Sequence, residues 1–250
     1  MSAIFLSDVH LRDASSVKTG LVVRFLQEVA SQYSKVFILG DLFDVWPGTT
    51  PFLVKSFGPV LDALKRLVRD GHEVHYVEGN HDFRLGSFFH EHLGVKVYPE
   101  SIEENWSGKR IYMAHGDLGN PSDYGYRALR YLLRTEVVNM AARVMPGEWV
   151  FQVGLRSSQL SRAYQTRTGM TDVSRETAIR QVYRNAADKL FRSGFDLVIM
   201  GHTHLPDDVT TVVEGRQCRY INLGDWIRNF TYLEFDGAQF YTKSHPVKDL

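Results

Sequence analysis

The chain has 250 residues, 44% of them hydrophobic and 23% charged, and its 29 basic side chains balance 29 acidic ones. That is the composition of an ordinary globular protein with room for one large core, or a core carrying an insertion, and a net charge of zero argues against a nucleic-acid partner. A single cysteine, Cys218, cannot form an internal disulfide, and the opening MSAIFLSDVH lacks the basic and apolar regions of a secretory leader, so a cytoplasmic protein is expected.

Six short apolar runs read as strands, each closing on Gly, Asp, Asn or His: AIFLSDVH, KVFILGD, EVHYVEGNHD, RIYMAHGD, FDLVIMGHTH and RYINLGDW. Helical patterns lie between the early ones, with Leu21, Phe25, Leu26 and Val29 on one face and Val60, Leu61, Leu64, Leu67 and Val68 on another. Strand, helix, strand implies a layered α/β fold whose polar strand ends gather at one edge, where ligands bind in such sheets. No run approaches the roughly 18 to 20 uncharged apolar residues of a spanning helix, so any membrane contact would be peripheral.

The rhythm breaks between Pro121 and Arg192, which carries helical patterns and no convincing strand. This stretch holds 12 Lys and Arg against 6 Asp and Glu, an excess of +6, so the rest of the chain sums to −6. Its series Leu129, Leu132, Leu133, Val137, Val138, Met140 and Ala141 reads either as a packing stripe or as a groove for an acyl chain with Arg127, Arg130 and Arg134 at its mouth.

The strand ends carry the chemistry. The first supplies Asp8 and His10, the second Asp41 and Asp44, the third Asn80, His81 and Asp82, the fourth His115, and the fifth His202 and His204. A lone histidine at a strand end usually anchors a turn, but five such sites in succession are hard to explain as independent turns. Carboxylate, amide and imidazole donors without a thiolate suit manganese, iron or zinc, and two such ions sharing a carboxylate form a phosphoryl-transfer site. The remaining histidines, His72, His75, His90, His92 and His245, read as structural or solvated. Cys218 reads as a small packing residue, and Trp46 as a core residue or a base-stacking one.

The ordered motifs D-x-H, G-D-x-x-D, G-N-H-D, an isolated His and G-H-x-H resemble those of the calcineurin-like metallophosphoesterases. The resemblance implies a sandwich of β-sheets flanked by helices, with residues 1–120 and 193–250 as core and 121–192 as a helical lid insertion. It implies that Asp8, His10, Asp41 and His204 hold one divalent ion and Asp41, Asn80, His115 and His202 a second, most simply Mn2+, with Fe or Zn as alternatives. It also implies that His81 faces substrate, Asp82 orients His81, and Asp44 supports the loop without binding metal.

The stretch HGDLGNPSDYGYRALR, together with TDVSRETA, is similar to the UDP-2,3-diacylglucosamine hydrolases of the lipid A pathway, which implies substrate contacts at Asp123, Tyr126 and Arg130. The implied reaction is cleavage of the pyrophosphate bond of a lipid-linked sugar nucleotide at the cytoplasmic face of the inner membrane. His81 departs from the Arg common in that group. The departure keeps open a soluble phosphomonoesterase or phosphodiesterase acting on a small nucleotide or phosphoprotein. A non-catalytic scaffold is a third reading, disfavoured because every motif position is filled.

Overall fold

The computed structural model describes residues 1–138, 140, 147–149, 151–152 and 172–246. Alternation along its central strands decides the layering. In β1 (Ala3–Leu6) and β2 (Lys35–Leu39), Ile4, Leu6, Val36 and Ile38 enter one apolar cluster, while Ala3, Phe5, Phe37 and Leu39 enter another. Both faces are covered, which is why these strands read as unbroken apolar runs.

The first sheet runs β11-β10-β1-β2-β3-β4, with β3 at Glu73–Val77, β4 at Lys96–Tyr98, β10 at Thr231–Phe235 and β11 at Phe240–Ser244. Strands β1 to β4 are parallel, and β10 joins β1 antiparallel. Helices α1 (Val17–Glu28), α2 (Pro51–Ser56), α3 (Gly58–Arg69) and α4 (Gly86–Leu93) supply the cluster on its outer face through residues such as Val22, Phe25, Leu53, Leu61, Leu64 and Phe89. Ser16 starts α1 by accepting the Thr19 amide at 3.1 Å, and Gly94 ends α4 in the left-handed region at φ 75°.

The second sheet runs β5-β6-β7-β9-β8, with β5 at Ser101–Trp106, β6 at Lys109–Ala114, β7 at Leu197–Met200, β8 at Asp207–Val213 and β9 at Arg216–Asn222. Ile102, Trp106, Ile111, Met113, Leu197, Ile199 and Ile221 face the first sheet and close the cluster between the two. Its outer face, including Val198, Met200, Cys218 and Tyr220, is covered by Tyr183, Ala187 and Phe191 of α6 (Asp172–Arg192). The C-terminal end of the stretch set apart as an insertion therefore forms an outer layer of the sandwich. Another helix of that stretch, α5 (Tyr124–Leu133), has no buried residue and leaves Tyr124, Leu129, Tyr131 and Leu132 exposed. Val137, Met140 and Trp149 are exposed beyond it, and Ala141 lies outside the described residues.

Candidate metal centre

Both sheets deliver the motif residues to one place. Asp8 and His10 follow β1, Asp41 follows β2, Asn80 follows β3, His115 follows β6, and His202 and His204 follow β7. The loops after β1 and β2 stay paired beyond the sheet, with the His10 amide donating to Asp41 O at 2.9 Å and Asp44 N to Leu11 O at 2.9 Å. Asp8, His10, Asp41, His202 and His204 take left-handed φ of 55°, 52°, 55°, 68° and 60°. Concentration of this costly conformation at the strand ends marks a site where geometry outranks local backbone preference. Two motif glycines are required by close approach: a Cβ on Gly79 would lie 2.1 Å from Asp41 Oδ1, and one on Gly201 2.4 Å from Asp8 Oδ2.

The side-chain atoms form two groups that share Asp41 Oδ2. In one, His10 Nε2 and His204 Nε2 are 3.3 Å apart, lying 3.9 and 3.5 Å from Asp8 Oδ1, and His10 Nε2 is 3.7 Å from Asp41 Oδ2. In the other, Asn80 Oδ1 is 2.9 Å from both His115 Nε2 and His202 Nδ1, and His115 Nε2 is 3.4 Å from Asp41 Oδ2.

The far ring nitrogens show what these groups want. His115 Nδ1 donates to Leu39 O at 2.9 Å, which leaves Nε2 facing Asn80 Oδ1 and Asp41 Oδ2. His10 Nδ1 faces Asp44 Oδ1 at 3.2 Å and His204 Nδ1 faces Asp225 Oδ2 at 3.4 Å, which leaves the Nε2 atoms of both facing each other. Asp8 Oδ1 is buried without a hydrogen-bond partner among the described residues. Four imidazoles, two carboxylates and an amide oxygen converging in one place are a set of nitrogen and oxygen ligands that suits divalent metals.

Charge shifts follow the same logic. Burial opposes ionisation of Asp41, but the imidazoles of His115, His81 and His10 outweigh it and hold the carboxyl well below its usual range. Burial lowers His115, yet Asp41 beside it raises the ring well above an ordinary histidine. Burial and His115 push His202 down to about 4, keeping it a neutral donor, and burial lowers His10. Burial would raise Asp225, but His204 and the amides of Arg228, Asn229 and Ile227 bring it to about 2.

Around this centre the structure sorts the other expected residues. Asp44 is buried behind His10, and its Oδ2 accepts Arg12 Nε at 2.9 Å. His81 stands at the rim, its amide donating to Asp41 Oδ1 at 2.9 Å and its Nδ1 donating to Asp44 O at 2.9 Å. The pairing expected between His81 and Asp82 is therefore replaced by Asp44. The fully buried Asp82 carboxylate instead accepts the amides of Asp41, Phe43 and Gly79 at 2.9, 3.1 and 3.0 Å and the Tyr76 hydroxyl, binding two strand-end loops together. Tyr126 and Arg130 both meet Asp117, the arginine through Nε at 2.7 Å, and Asp123 caps α5 by accepting the Tyr126 amide at 2.9 Å.

Three supporting residues escaped the sequence reading: Asp225 behind His204, Asp117 beside His115, and Arg12 on Asp44. Asp225 and Asp117 had a visible signal, since LGDW and HGD end strands as the ligand motifs do. Trp46 is fully buried against Phe43, Phe57 and Phe89, a core residue, and Cys218 is buried. His75 is buried, His72 is tied to Tyr33 O, His90 and His92 are exposed on α4, and His245 packs near Phe25.

The model of the calcineurin-like phosphoesterase family matches residues 1–206. Among relatives, the UDP-2,3-diacylglucosamine hydrolase of Stenotrophomonas maltophilia strain K279a is 32% identical over 240 residues, covering 95% of this chain and 96% of that protein. Enzymes of the same name from Aromatoleum aromaticum and Psychromonas ingrahamii are 32% and 27% identical, covering 95% and 99% of this chain and 94% and 98% of their own length. With its motifs converging on one metal-ready centre and the family match running through all of them, the chain belongs to the calcineurin-like phosphoesterase family.

Proposed function

We propose that the protein hydrolyses the pyrophosphate bond of UDP-2,3-diacylglucosamine, releasing UMP and 2,3-diacylglucosamine 1-phosphate. The observation that carries this reading is the similarity to relatives of that name along nearly the whole chain, residues 121–192 included. In this reading Asp8, His10, Asp41 and His204 hold one divalent ion and Asp41, Asn80, His115 and His202 the other, with Mn2+ as the proposed metal. When bound, such a pair polarises the phosphoryl group and activates water for attack.

The chain's own side chains do the rest. Because His81 Nδ1 is committed to Asp44 O, Nε2 is the atom left to hold a proton at a substrate oxygen, and the side chain is 23% exposed at the rim. Asp44 and Asp225 orient His10 and His204 from behind. Of the stretch 121–192, α6 belongs to the sandwich and the segment around α5 acts as the lid in this proposal, with Asp123, Tyr126 and Arg130 contacting substrate and the exposed apolar residues of α5 meeting acyl chains at the cytoplasmic face of the inner membrane. No helix among the described residues is long and apolar enough to cross a membrane.

The test is turnover of the lipid-linked sugar nucleotide against a small chromogenic phosphodiester, with product release followed by mass. Formation of UMP and the lipid 1-phosphate at a kcat/KM far above that for the diester supports the proposal. A reversed preference would favour the phosphodiesterase reading that His81 keeps open.

A further inference from the structure

Two buried carboxylates sit two residues from ligands of the second group: Glu78 before Asn80, and Asp117 after His115. Both are engaged by arginines reaching in from the segment around α5. Arg134, at the end of α5, places Nη1 3.1 Å from Glu78 Oε2 and donates from Nη1 to Pro99 O at 3.3 Å and from Nη2 to Gly79 O at 3.1 Å. Its guanidinium lies 5.4 Å over the Phe83 ring, and its side chain is 19% exposed. Arg84 returns the contact, donating to Arg134 O at 2.7 Å and Thr135 O at 2.6 Å. Glu78 is locked from its other side by the Leu85 amide at 3.0 Å. One turn earlier on α5, Arg130 and Tyr126 hold Asp117.

The third ligand loop is held in the same way by α6. Arg184 grips Asp207 through two hydrogen bonds of 2.8 and 2.7 Å, Arg180 donates to Pro206 O, and the Tyr183 ring lies 6.2 Å from that of His202. That loop also carries His204 of the first group, but among the described residues neither Arg130 nor Arg134 of the α5 segment contacts a residue beside His10 or His204. His10 and His204 are backed by Asp44 and Asp225, which belong to the loops of the sandwich itself.

We propose that Arg134, seconded by Arg130, is a positioning residue that sets the geometry of the Asn80–His115–His202 group, so that occupancy of the second metal subsite depends on α5 being docked. This deepens the reading given above and rests on its assignment of two ions. Burying an arginine against Glu78 contributes little net stability, because desolvation offsets most of the attraction. Its use is directional: a forked guanidinium that binds Glu78, Gly79 and Pro99 together fixes the approach of the loop carrying Asn80 in a way a flexible ammonium could not. Outer-shell partners of metal ligands characteristically change metal affinity by about 10- to 100-fold when removed.

The experiment is a titration of the chelator-treated full-length protein with Mn2+, read by calorimetry and by electron paramagnetic resonance, for wild type, Arg134→Met, Arg130→Met and Asp225→Asn. Binding of fewer than two ions by wild type would overturn the two-metal reading itself. Given two, the expected result is that Arg134→Met and Arg130→Met each keep one ion at wild-type affinity and weaken the other about 10- to 100-fold. The spin-coupled pair signal gives way to an isolated-ion signal, while Asp225→Asn weakens the opposite ion. Arg134→Lys should restore only part of the second affinity. Unchanged binding of both ions in the arginine variants, or equal weakening of both together with a lowered melting temperature of the metal-free protein, would overturn the inference in favour of a purely structural staple.

Discussion

His10 and His204, 194 residues apart in the chain, bring their Nε2 atoms to 3.3 Å with the rings stacked at 13°, and each turns its other nitrogen to a buried carboxylate. Both Nε2 atoms converge with Asp8 Oδ1 on one point, so a cation held there would tie together side chains from two distant loops. Metal removal should therefore lower the melting temperature, and re-addition of Mn2+ at 100 times its dissociation constant should restore about 2.7 kcal/mol per site. A melting curve indifferent to chelator and Mn2+ would remove the metal centre.

Asp41 Oδ2 faces both groups, 3.7 Å from His10 Nε2 and 3.4 Å from His115 Nε2. Asp41→Ala should lose both ions and turnover together, since it removes an oxygen from each. Metal analysis alongside kinetics checks this; a variant that kept two ions and full activity would show that the groups do not need a bridge.

His81 spends its Nδ1 on Asp44 O and packs its ring edge-on to His10 with centroids 4.9 Å apart, so its free Nε2 is expected to serve the reaction and not the metals. His81→Ala should reduce kcat by about 10²- to 10⁴-fold, the range for a positioned acid or base, with metal content near normal. A parallel fall in metal content would make it a ligand.

The exposed side chains of α5 and its continuation can be changed without touching the core, because Leu132 and Val137 are 55% and 77% exposed. Leu132→Glu or Val137→Glu should raise KM for the lipid-linked substrate about tenfold, the equivalent of losing contact with roughly two methylenes. The small phosphodiester should be turned over unchanged. Equal losses on both substrates would indicate a defect of folding.

His75 gives a pH-dependent contribution to stability remote from the centre. Burial, with Lys96 and Lys35, lowers it from 6.5 to about 4 in the folded protein, against the pull of Glu73 and Glu104. The unfolded chain therefore binds this proton more readily. Stability is intact above pH 6.5 and falls toward pH 4 by up to about 1.4 kcal/mol per pH unit. His75→Phe, which keeps the stack on Phe37 and Tyr98, should flatten that slope when metal-free wild type and variant are compared by denaturant titration. Identical slopes would show that His75 does not titrate in this range.

The strands that deliver ligands were legible because each is buried on both faces and therefore reads as a continuous apolar run ending in polar residues. Strands β8 and β11 were not, since Asp208, Thr210, Tyr241 and Lys243 face solvent and leave no apolar run to see. Motif spacing identified the residues that converge. It could not identify what stands behind them: Asp225 and Asp117 are single carboxylates whose partners lie far away in sequence, and the transfer of His81 from Asp82 to Asp44 depends on how two loops cross. The helical character of α5 and α6 was readable from the pattern, but the packing of α6 onto the second sheet was not, because Tyr183, Ala187 and Phe191 form the same stripe whichever surface they meet.

Because the proposed ligands are drawn from both sheets, the centre can exist only once the sheets have docked face to face through Phe5, Phe37, Met113 and Ile199. Contacts this distant in sequence are costly to close and tend to form late. Ions bound there would stabilise the native state and not the folding transition state, so they should slow unfolding while leaving the folding rate nearly unchanged. The metal centre would then act as a kinetic lock on the sandwich, prolonging the lifetime of the folded chain without helping it to fold.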